Sequence, residues 1–205
     1  MQSGRPGRTA YHHGDLAQAL LDAAQRLLDE GGVEAVTVRA VAREAGVAHS
    51  APANHFKDRA ALLVALATRI FQELAVEVQQ ALGSPARSTR ARLHAMADVI
   101  LRYALRYPHR YRLIWRGDNF ASDKSSAEVA GTVLYDAVKD ILGGRGGGSK
   151  TSIDTQVIAA WSLIHGYISL RLEGTLVDGS DEVSGKSRVS AIVDVLMDGL
   201  DHGKH

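Results

Sequence analysis

Apolar side chains recur at intervals of three and four residues along most of the chain, which is the spacing of amphipathic α-helices. The first such stretch runs from Leu16 to Leu28 and is followed by Gly31-Gly32, a pair suited to end a helix. A longer stretch steps by four from Leu62 to Val78. Alternating strand patterns are scarce, so the sequence predicts an all-α protein.

Further apolar repeats predict the helices of the second half of the chain. They cover Leu93–Tyr103, Ala127–Ile141, Ile153–Leu172 and Val189–Leu200. The residue before a proline avoids helical dihedral angles, so the first of these helices is expected to end before Pro108. We therefore predict one domain over residues 1–60 and a larger helical domain over residues 61–205.

The stretch from Thr37 to Leu63 has the pattern of a helix-turn-helix. Val38, Val41 and Ala42 fall on one helical face, and Gly46 supplies the backbone freedom to reverse direction. A second short helix, capped by His49 or Ser50, is expected to end near Phe56. Its small side chains would let the helix backbone approach the base edges of a DNA major groove.

These residues resemble the DNA-binding half of the tetracycline-repressor (TetR) family. His55-Phe56, Arg59 and Leu62 stand at positions that match the family's pattern. Two residues depart from it: the family usually carries Tyr where this chain has Ala53, and often Ser or Thr where it has Ala48.

The second half of the chain also resembles this family. Trp161, His165 and Gly166 are similar to the Trp-His-Gly signature of one type of C-terminal domain, and Tyr111-Arg112-Leu113 is similar to an aromatic-Arg-Leu stretch of the same domain. The resemblance implies a homodimer whose last two helices pack against their copies. It also implies a small-molecule effector bound in the helical body.

The predicted DNA contacts divide by chemistry. His49, Ser50 and Asn54 are expected at base edges, and Thr37, Lys57 and Arg59 at phosphates. Arg5 and Arg8 lie in a Gly-Arg-Pro-Gly-Arg segment that is either an arm for the minor groove or an unstructured tail. The full set is Arg5, Arg8, Thr37, His49, Ser50, Pro52, Asn54, His55, Lys57 and Arg59.

The predicted effector pocket consists mainly of aromatic residues. Aromatic side chains at helical spacing also form ordinary protein cores, and His165 is equally a candidate for a buried, hydrogen-bonded structural histidine. Both interpretations are open at this point. The residues are Met96, Tyr103, Tyr107, Tyr111, Trp115, Phe120, Tyr135, Trp161 and His165.

Charge is unevenly distributed although the net charge is only +1. Between Arg87 and Arg116 there are eight arginines and a single acid, Asp98. These arginines either extend from a solvated helix face or include one that pairs with an anionic ligand. Cysteine is absent and no apolar run approaches ~20 residues, so we expect a cytoplasmic protein that does not cross a membrane.

The sequence contains no motif that would indicate an enzyme. Gly144 to Thr151 almost matches a phosphate-binding loop, but Ser149 replaces the required second Gly and the segment follows a predicted helix instead of a strand. Neither a cofactor nor a metal site is predicted, since the adjacent His12 and His13 would diverge on a helix.

Two functions remain. The first is a ligand-responsive transcriptional regulator, acting as a repressor, that binds a near-palindromic double-stranded DNA operator as a homodimer. The alternative is a dimeric small-molecule-binding protein with weak or lost DNA binding, an interpretation that rests on Ala53.

Overall fold

The computed structural model describes residues 13–83, 88–115, 124–144 and 151–202. Within these ranges the chain forms eight α-helices and one short 3-10 helix, without a β-strand, which confirms the predicted all-α fold. The helices are α1 (His13–Ala35), α2 (Val38–Glu44), α3 (Arg59–Leu82), α4 (Thr89–Arg106), α5 (Pro108–Ile114), α6 (Lys124–Gly143), α7 (Ile153–Leu172) and α8 (Arg188–His202), and the 3-10 helix is Ala51–Asn54.

The chain divides into two compact units, Met1–Leu66 and Ala67–His205. The division falls inside α3, a few residues after the predicted boundary at residue 60. The assignment of DNA binding to the first unit and effector binding to the second stays a prediction at this stage.

The first unit is held together by a small core of α1, α2 and the start of α3. Leu20, Leu28, Val41 and Leu62 are fully buried. Gly32 interrupts α1 with a φ of 69°, a left-handed conformation that favours glycine, so α1 is kinked where its sequence predicts a helix end.

The second unit is a helical bundle in which α4 packs against α8, and α7 packs against both α6 and α8. Leu93, Ile100 and Ile168 are completely or almost completely buried within it. In the loop after α7, Ser180 and Ser187 form an isolated antiparallel bridge. None of the described helices is both long enough and apolar enough to cross a lipid bilayer.

Several members of the arginine cluster pair with acids of the same chain. Arg110 contacts Glu73 at 3.1 Å and lies over the Tyr107 ring at 4.1 Å. Arg102 contacts Asp98 one turn earlier in α4, at 2.8 Å. The sequence left open whether such arginines are solvated or bind an anionic ligand, and the structure adds a third role in intramolecular ion pairs.

Candidate functional sites

The turn of the predicted helix-turn-helix follows from the way α2 ends. Gly46 has a φ of 68°, and its N–H donates to the carbonyl of Arg43 at 3.1 Å. The N–H of Val47 donates to the carbonyl of Ala42 at 3.0 Å, which completes a Schellman motif. The sequence prediction of a glycine turn at this position is confirmed.

The second helix of the motif is a single 3-10 segment. Ser50 occupies its N-cap position without a side-chain hydrogen bond, and Pro52 lies in its first turn, where a missing N–H costs little. The N–H of Phe56 donates to the carbonyl of Pro52 at 2.8 Å. The predicted short helix is therefore present, but the capping role expected of His49 or Ser50 is not seen.

The outer surface of this segment carries the small side chains that the sequence predicted for it. His49, Ser50, Ala53 and Asn54 are exposed, and His55 is half-buried. Pro52 is buried, and its burial does not favour the predicted DNA contact of this residue. Because most of these exposed side chains are short, they would offer little steric hindrance to the approach of a DNA groove.

Cationic and capping residues lie before and after this segment in the sequence. Thr37 is the N-cap of α2, and its Oγ1 accepts a hydrogen bond from the N–H of Ala40 at 3.1 Å. Lys57 is exposed. Arg39 and Arg43, which the sequence prediction omitted, are exposed one turn apart on α2, and their i, i+4 spacing is the signal that would have identified them.

Arg59 has a different environment from the one its sequence position suggested. Its Nε–H donates to the carbonyl of Val36 at 2.7 Å, and an N–H of its NH2 group donates to the carbonyl of Val33 at 2.6 Å. Glu34 lies 3.6 Å from the same NH2 group. Arg59 thus joins the first residue of α3 to the backbone at the end of α1, and a contact with phosphate stays a prediction.

Three predicted site residues fall outside the part of the chain that the structure describes. They are Arg5 and Arg8 of the N-terminal segment and Phe120 of the proposed pocket.

The second unit contains a cavity of about 200 Å³ between α5 and the C-terminal half of α7. Three predicted pocket residues, Tyr111, Trp115 and His165, contribute to its wall. The sequence prediction missed the others, although Ser169 lies one helical turn after His165 and Arg112 directly follows Tyr111. The complete lining is Tyr111, Arg112, Trp115, His165, Ser169, Leu172 and Glu173.

A hydrogen-bonded pair forms the polar part of this wall. The Tyr111 hydroxyl lies 2.8 Å from Nδ1 of His165, and the Ser169 hydroxyl lies 3.4 Å from Nε2 of the same ring. Burial raises the pKa of Tyr111 and lowers the pKa of His165, because both charged forms lose hydration there. Both groups are therefore neutral near pH 7.

Trp115 lies at the centre of a group of aromatic rings. Its ring centroid is 4.8 Å from that of His165, 5.3 Å from Trp161, 5.7 Å from Phe71 and 6.0 Å from Tyr111. Such spacings are those of favourable aromatic pairs. The predicted aromatic set therefore contains a real cluster, and one side of it faces a cavity.

The remaining members of the predicted pocket do not line this cavity. Met96 and Tyr103 are buried residues of α4. Tyr107 packs against Tyr103 with ring centroids 5.3 Å apart. Tyr135 donates from its hydroxyl to Asp154 at 2.8 Å in an exposed pair. Trp161 contacts Trp115 from outside the cavity lining.

A second depression, of about 340 Å³, is lined mainly by charged groups. Asp194 of α8 is 2.8 Å from Arg90, 2.9 Å from His94 and 2.6 Å from Lys186. Lys186 above all, together with Arg90 and His94, holds the pKa of Asp194 well below its usual range. Within the described ranges, no three His, Asp or Glu side chains converge as a metal ion would require.

Comparison with known proteins places these features in a family. Residues 20–66 match the family described as bacterial regulatory proteins, tetR family, and residues 93–196 match the tetracyclin repressor-like C-terminal domain. No curated protein matches the chain.

Solved structures share the fold over nearly the whole chain. A protein of unknown function from Rhodococcus sp. RHA1 is 29% identical, with a TM-score of 0.74 over 96% of this chain and 99% of that one. A TetR family transcription regulator from Marinobacter aquaeolei VT8 is 16% identical, with a TM-score of 0.65 over 90% and 94%. The regulator FadR from Bacillus subtilis, in complex with stearoyl-CoA, is 13% identical, with a TM-score of 0.64 over 92% and 99%.

Proposed function

The chain belongs to the TetR family of bacterial regulatory proteins and is a transcriptional regulator, and we propose that it is a homodimeric repressor released from its operator by a small molecule. The observation that carries the DNA-binding part is the exposed surface of His49, Ser50 and Asn54, presented directly after a glycine turn. In a homodimer, two such surfaces would enter successive major grooves about 34–36 Å apart.

Base recognition is proposed for His49, Ser50 and Asn54, whose polar side chains are exposed. Phosphate contacts are proposed for Thr37 and Lys57. We add Arg39 and Arg43, because exposed arginines one turn apart on α2 would track the same backbone strand.

Selection of duplexes from a random pool by the purified protein tests DNA binding. We expect an inverted repeat, and an affinity for it that falls as the salt concentration rises. Asn54→Ala should lower the preference for the selected sequence by about tenfold while leaving the salt dependence in place, because a base contact carries sequence information and few counterions. Failure to enrich any sequence would favour the alternative described next.

The alternative is a dimeric small-molecule-binding protein with weak or lost DNA binding. Ala53 is exposed on the 3-10 helix and has no group that could bond a phosphate, whereas the resemblance to the family leads one to expect a Tyr there. A protein of this kind would bind its ligand but would show no sequence-selective retention on duplex DNA, and little or none at physiological salt concentration.

Exposed apolar residues on the last two helices support the homodimer. Ile158, Leu163 and Leu170 on α7 and Val195 on α8 are each at least 40% exposed, and α7 is apolar on nearly all sides. An isolated chain would leave this surface in water, whereas a helical interface would bury it.

Sedimentation of a Val195→Glu variant tests the dimer. A charge placed in a buried interface should produce monomers, while Val76→Glu on α3, where an exposed valine is likewise replaced, should sediment as wild type. A dimeric Val195→Glu variant would exclude this face of α8 from the interface.

The effector is proposed to bind in the 200 Å³ cavity beside Tyr111, Trp115 and His165. For such a ligand to release DNA, its affinity must differ between the DNA-bound and the free conformations of the protein. A ligand that binds the cavity and leaves operator affinity unchanged would contradict the proposed regulation without touching DNA binding itself.

A further inference from the structure

The loop between α7 and α8 exposes two valines almost completely. Val183 is 97% exposed and Val177 is 83% exposed, more than any of the apolar residues of α7 and α8 that support the homodimer. A single exposed aliphatic side chain is ordinary on a protein surface. These two differ from that case because the loop holds them in a defined conformation and because they adjoin other exposed apolar residues.

Val183 lies in the middle of a hydrogen-bonded turn. The N–H of Gly185 donates to the carbonyl of Asp181 at 2.8 Å, and the N–H of Ser184 donates to Oδ1 of the same residue at 2.7 Å. Gly185 has a φ of 69°, a left-handed conformation that favours glycine. These features fix the backbone around Val183, so its exposure belongs to an ordered turn.

The turn is also anchored to α8. Nζ of Lys186 lies 2.6 Å from a carboxylate oxygen of Asp194, and the guanidinium of Arg188, the first residue of α8, donates to the carbonyl of Ser180 at 3.0 Å. Both bonds resist a movement of the turn that would bury Val183 against its own helices.

The loop adjoins the exposed apolar residues of both helices. The N–H of Leu176 donates to the carbonyl of Leu170 at 3.2 Å, so Leu176 and the Val177 that follows it begin beside an exposed leucine of α7. At the other end of the loop, Ser184 lines the same depression as Val195 of α8. The exposed apolar residues of the loop are therefore continuous with the surface that supports the homodimer.

The apolar area indicates that the two helices need this addition. A standard interface buries ~800 Å² per partner, of which more than half, or ~450 Å², is apolar. At ~100 Å² for a complete aliphatic side chain, the four exposed residues of α7 and α8 offer about 200 Å². The loop offers about as much again through Leu176, Val177 and Val183.

The charge of the loop indicates what kind of surface it meets. Residues 173–187 contain four acids and a single cation, Lys186. This balance is unfavourable for contact with nucleic acid or with an anionic membrane, both of which attract cations. A protein surface remains, and a second copy of this chain supplies one with matching apolar residues on α7 and α8.

We propose that the loop of residues 173–187 is part of the homodimer interface, where Val177 and Val183 pack on the exposed apolar residues of α7 and α8 in the second copy. This inference rests on the proposed homodimer. It adds a contact surface to that dimer, and neither DNA recognition nor the effector cavity depends on it.

Sedimentation of Val183→Asn tests the contact. Val183 is almost fully exposed in the single chain, so its replacement should leave the free energy of unfolding of the monomer within ~0.5 kcal/mol of wild type. The contact occurs twice in a symmetric dimer, so we expect the dimer dissociation constant to rise at least about tenfold. Val76→Asn, at an exposed valine of α3, should leave the constant unchanged. A smaller rise in Val183→Asn, or an equal rise in Val76→Asn, overturns the proposal.

Thiol protection tests the same contact without removing an apolar side chain. The chain has no cysteine, so Val183→Cys and Val76→Cys each carry a single thiol. In the dimer we expect iodoacetamide to modify the thiol at position 183 at least about tenfold more slowly than in the urea-unfolded chain. Dilution below the dimer dissociation constant should abolish this protection, and it should not change the rate at position 76.

The dilution step separates the second copy from other covers. Protection at position 183 that persists in the monomer would assign the cover to the same chain, and the absence of protection in the dimer would leave the loop in water. Either result overturns the inference.

Failure of the loop contact is distinguishable from failure of the homodimer. A wild-type dimer that is dissociated by Val195→Glu and unaffected by Val183→Asn keeps the proposed homodimer and refutes only the role of the loop. A wild-type chain that sediments as a monomer at every concentration refutes both.

Discussion

The two units build their candidate sites in opposite ways. In the first, the exposed surface around Ser50 and Asn54 is positioned by backbone hydrogen bonds between near neighbours, such as the bond from Val47 to Ala42. In the second, the cavity depends on Tyr111 and His165, whose hydrogen bond joins residues 54 positions apart. One site is therefore set by local rules of turns and caps, and the other by tertiary packing.

The two sites should therefore respond differently to amino-acid substitutions. A local site tolerates changes to its exposed side chains as long as the core beneath it is intact, since surface substitutions rarely change the free energy of unfolding by more than ~0.5 kcal/mol. In a site made from packed rings, a substitution affects the site and the stability of the fold together, because each ring belongs both to the wall of the cavity and to the core.

The largest effect is expected from Leu20→Asp, which attacks the core beneath the local site. Leu20 is fully buried in the first unit, and an unpaired carboxylate there should cost several kcal/mol. We expect loss of duplex binding and a lower melting temperature. Leu20→Met, a volume-conserving change, should cost less than ~1.5 kcal/mol and retain duplex binding.

Wild-type melting and duplex binding by Leu20→Asp would contradict the contrast between the two units as far as the first unit is concerned. They would mean that the exposed surface does not depend on α1 at all.

A smaller effect is expected from Arg59→Ala. Its guanidinium bonds to the carbonyls of Val33 and Val36, and it is partly exposed, so we expect a loss of about 2 kcal/mol of unfolding free energy. If the bonding role is its main one, the slope of log affinity for duplex DNA against log salt concentration should be unchanged.

Lys57→Ala is the matched control for that experiment. Lys57 is exposed two positions earlier, and its removal should flatten the salt slope by roughly 0.9, the value for one phosphate contact, with little change in stability. A flattened slope in Arg59→Ala as well would show that Arg59 contacts phosphate in addition to bonding the backbone, as its sequence position first suggested.

The environment of Arg59 shows what sequence patterns can and cannot predict. Helical periodicity predicted the all-α fold and the glycine turn at Gly46, because both follow from the preferences of residues close in sequence. The position of Arg59 just after the second helix of the motif suggested a phosphate contact, but its bonding to the end of α1, more than 20 residues away, is a product of tertiary structure.

The cavity was predictable only in part for the same reason. The predicted pocket set included Tyr111, Trp115 and His165, which line the cavity, but it also included Met96 and Tyr103, which lie in the core. Periodicity indicates which side chains are buried, and it does not distinguish a filled interior from a wall with open space beside it. Outside the described residues, Arg5, Arg8 and Phe120 stay predictions.

Tyr111→Phe tests whether the distant pair really stabilises the second unit. Removing the hydroxyl leaves Nδ1 of the half-buried His165 without its partner, so we expect a loss of about 1–2 kcal/mol of unfolding free energy. Tyr135→Phe also removes a 2.8 Å hydrogen bond, but that pair is exposed, and its loss should be within ~0.5 kcal/mol. Urea unfolding of the two variants gives the comparison.

Equal losses for Tyr111→Phe and Tyr135→Phe would mean that burial does not distinguish the two bonds. The contrast between a site within the core and a site on a surface would then fail for the second unit.

The smallest effect is expected from Asp194→Asn, which tests whether charge contributes to the second unit apart from the aromatic cavity. The pKa of Asp194 is depressed by Lys186 and, after it, by Arg90 and His94, so its ionised form stabilises the folded chain. That contribution is present above the pKa of an unfolded Asp, ~4, and is lost as the pH falls toward the lower folded value.

Asp194→Asn should therefore cost about 1 kcal/mol of unfolding free energy at pH 7, and the difference from wild type should shrink at pH 3. Glu182→Gln, at an exposed carboxylate of the loop that precedes α8, should change the free energy of unfolding by no more than ~0.5 kcal/mol at pH 7. A difference between Asp194→Asn and wild type that is as large at pH 3 as at pH 7 would assign the loss to packing, and the second unit would then be stabilised by its interior alone.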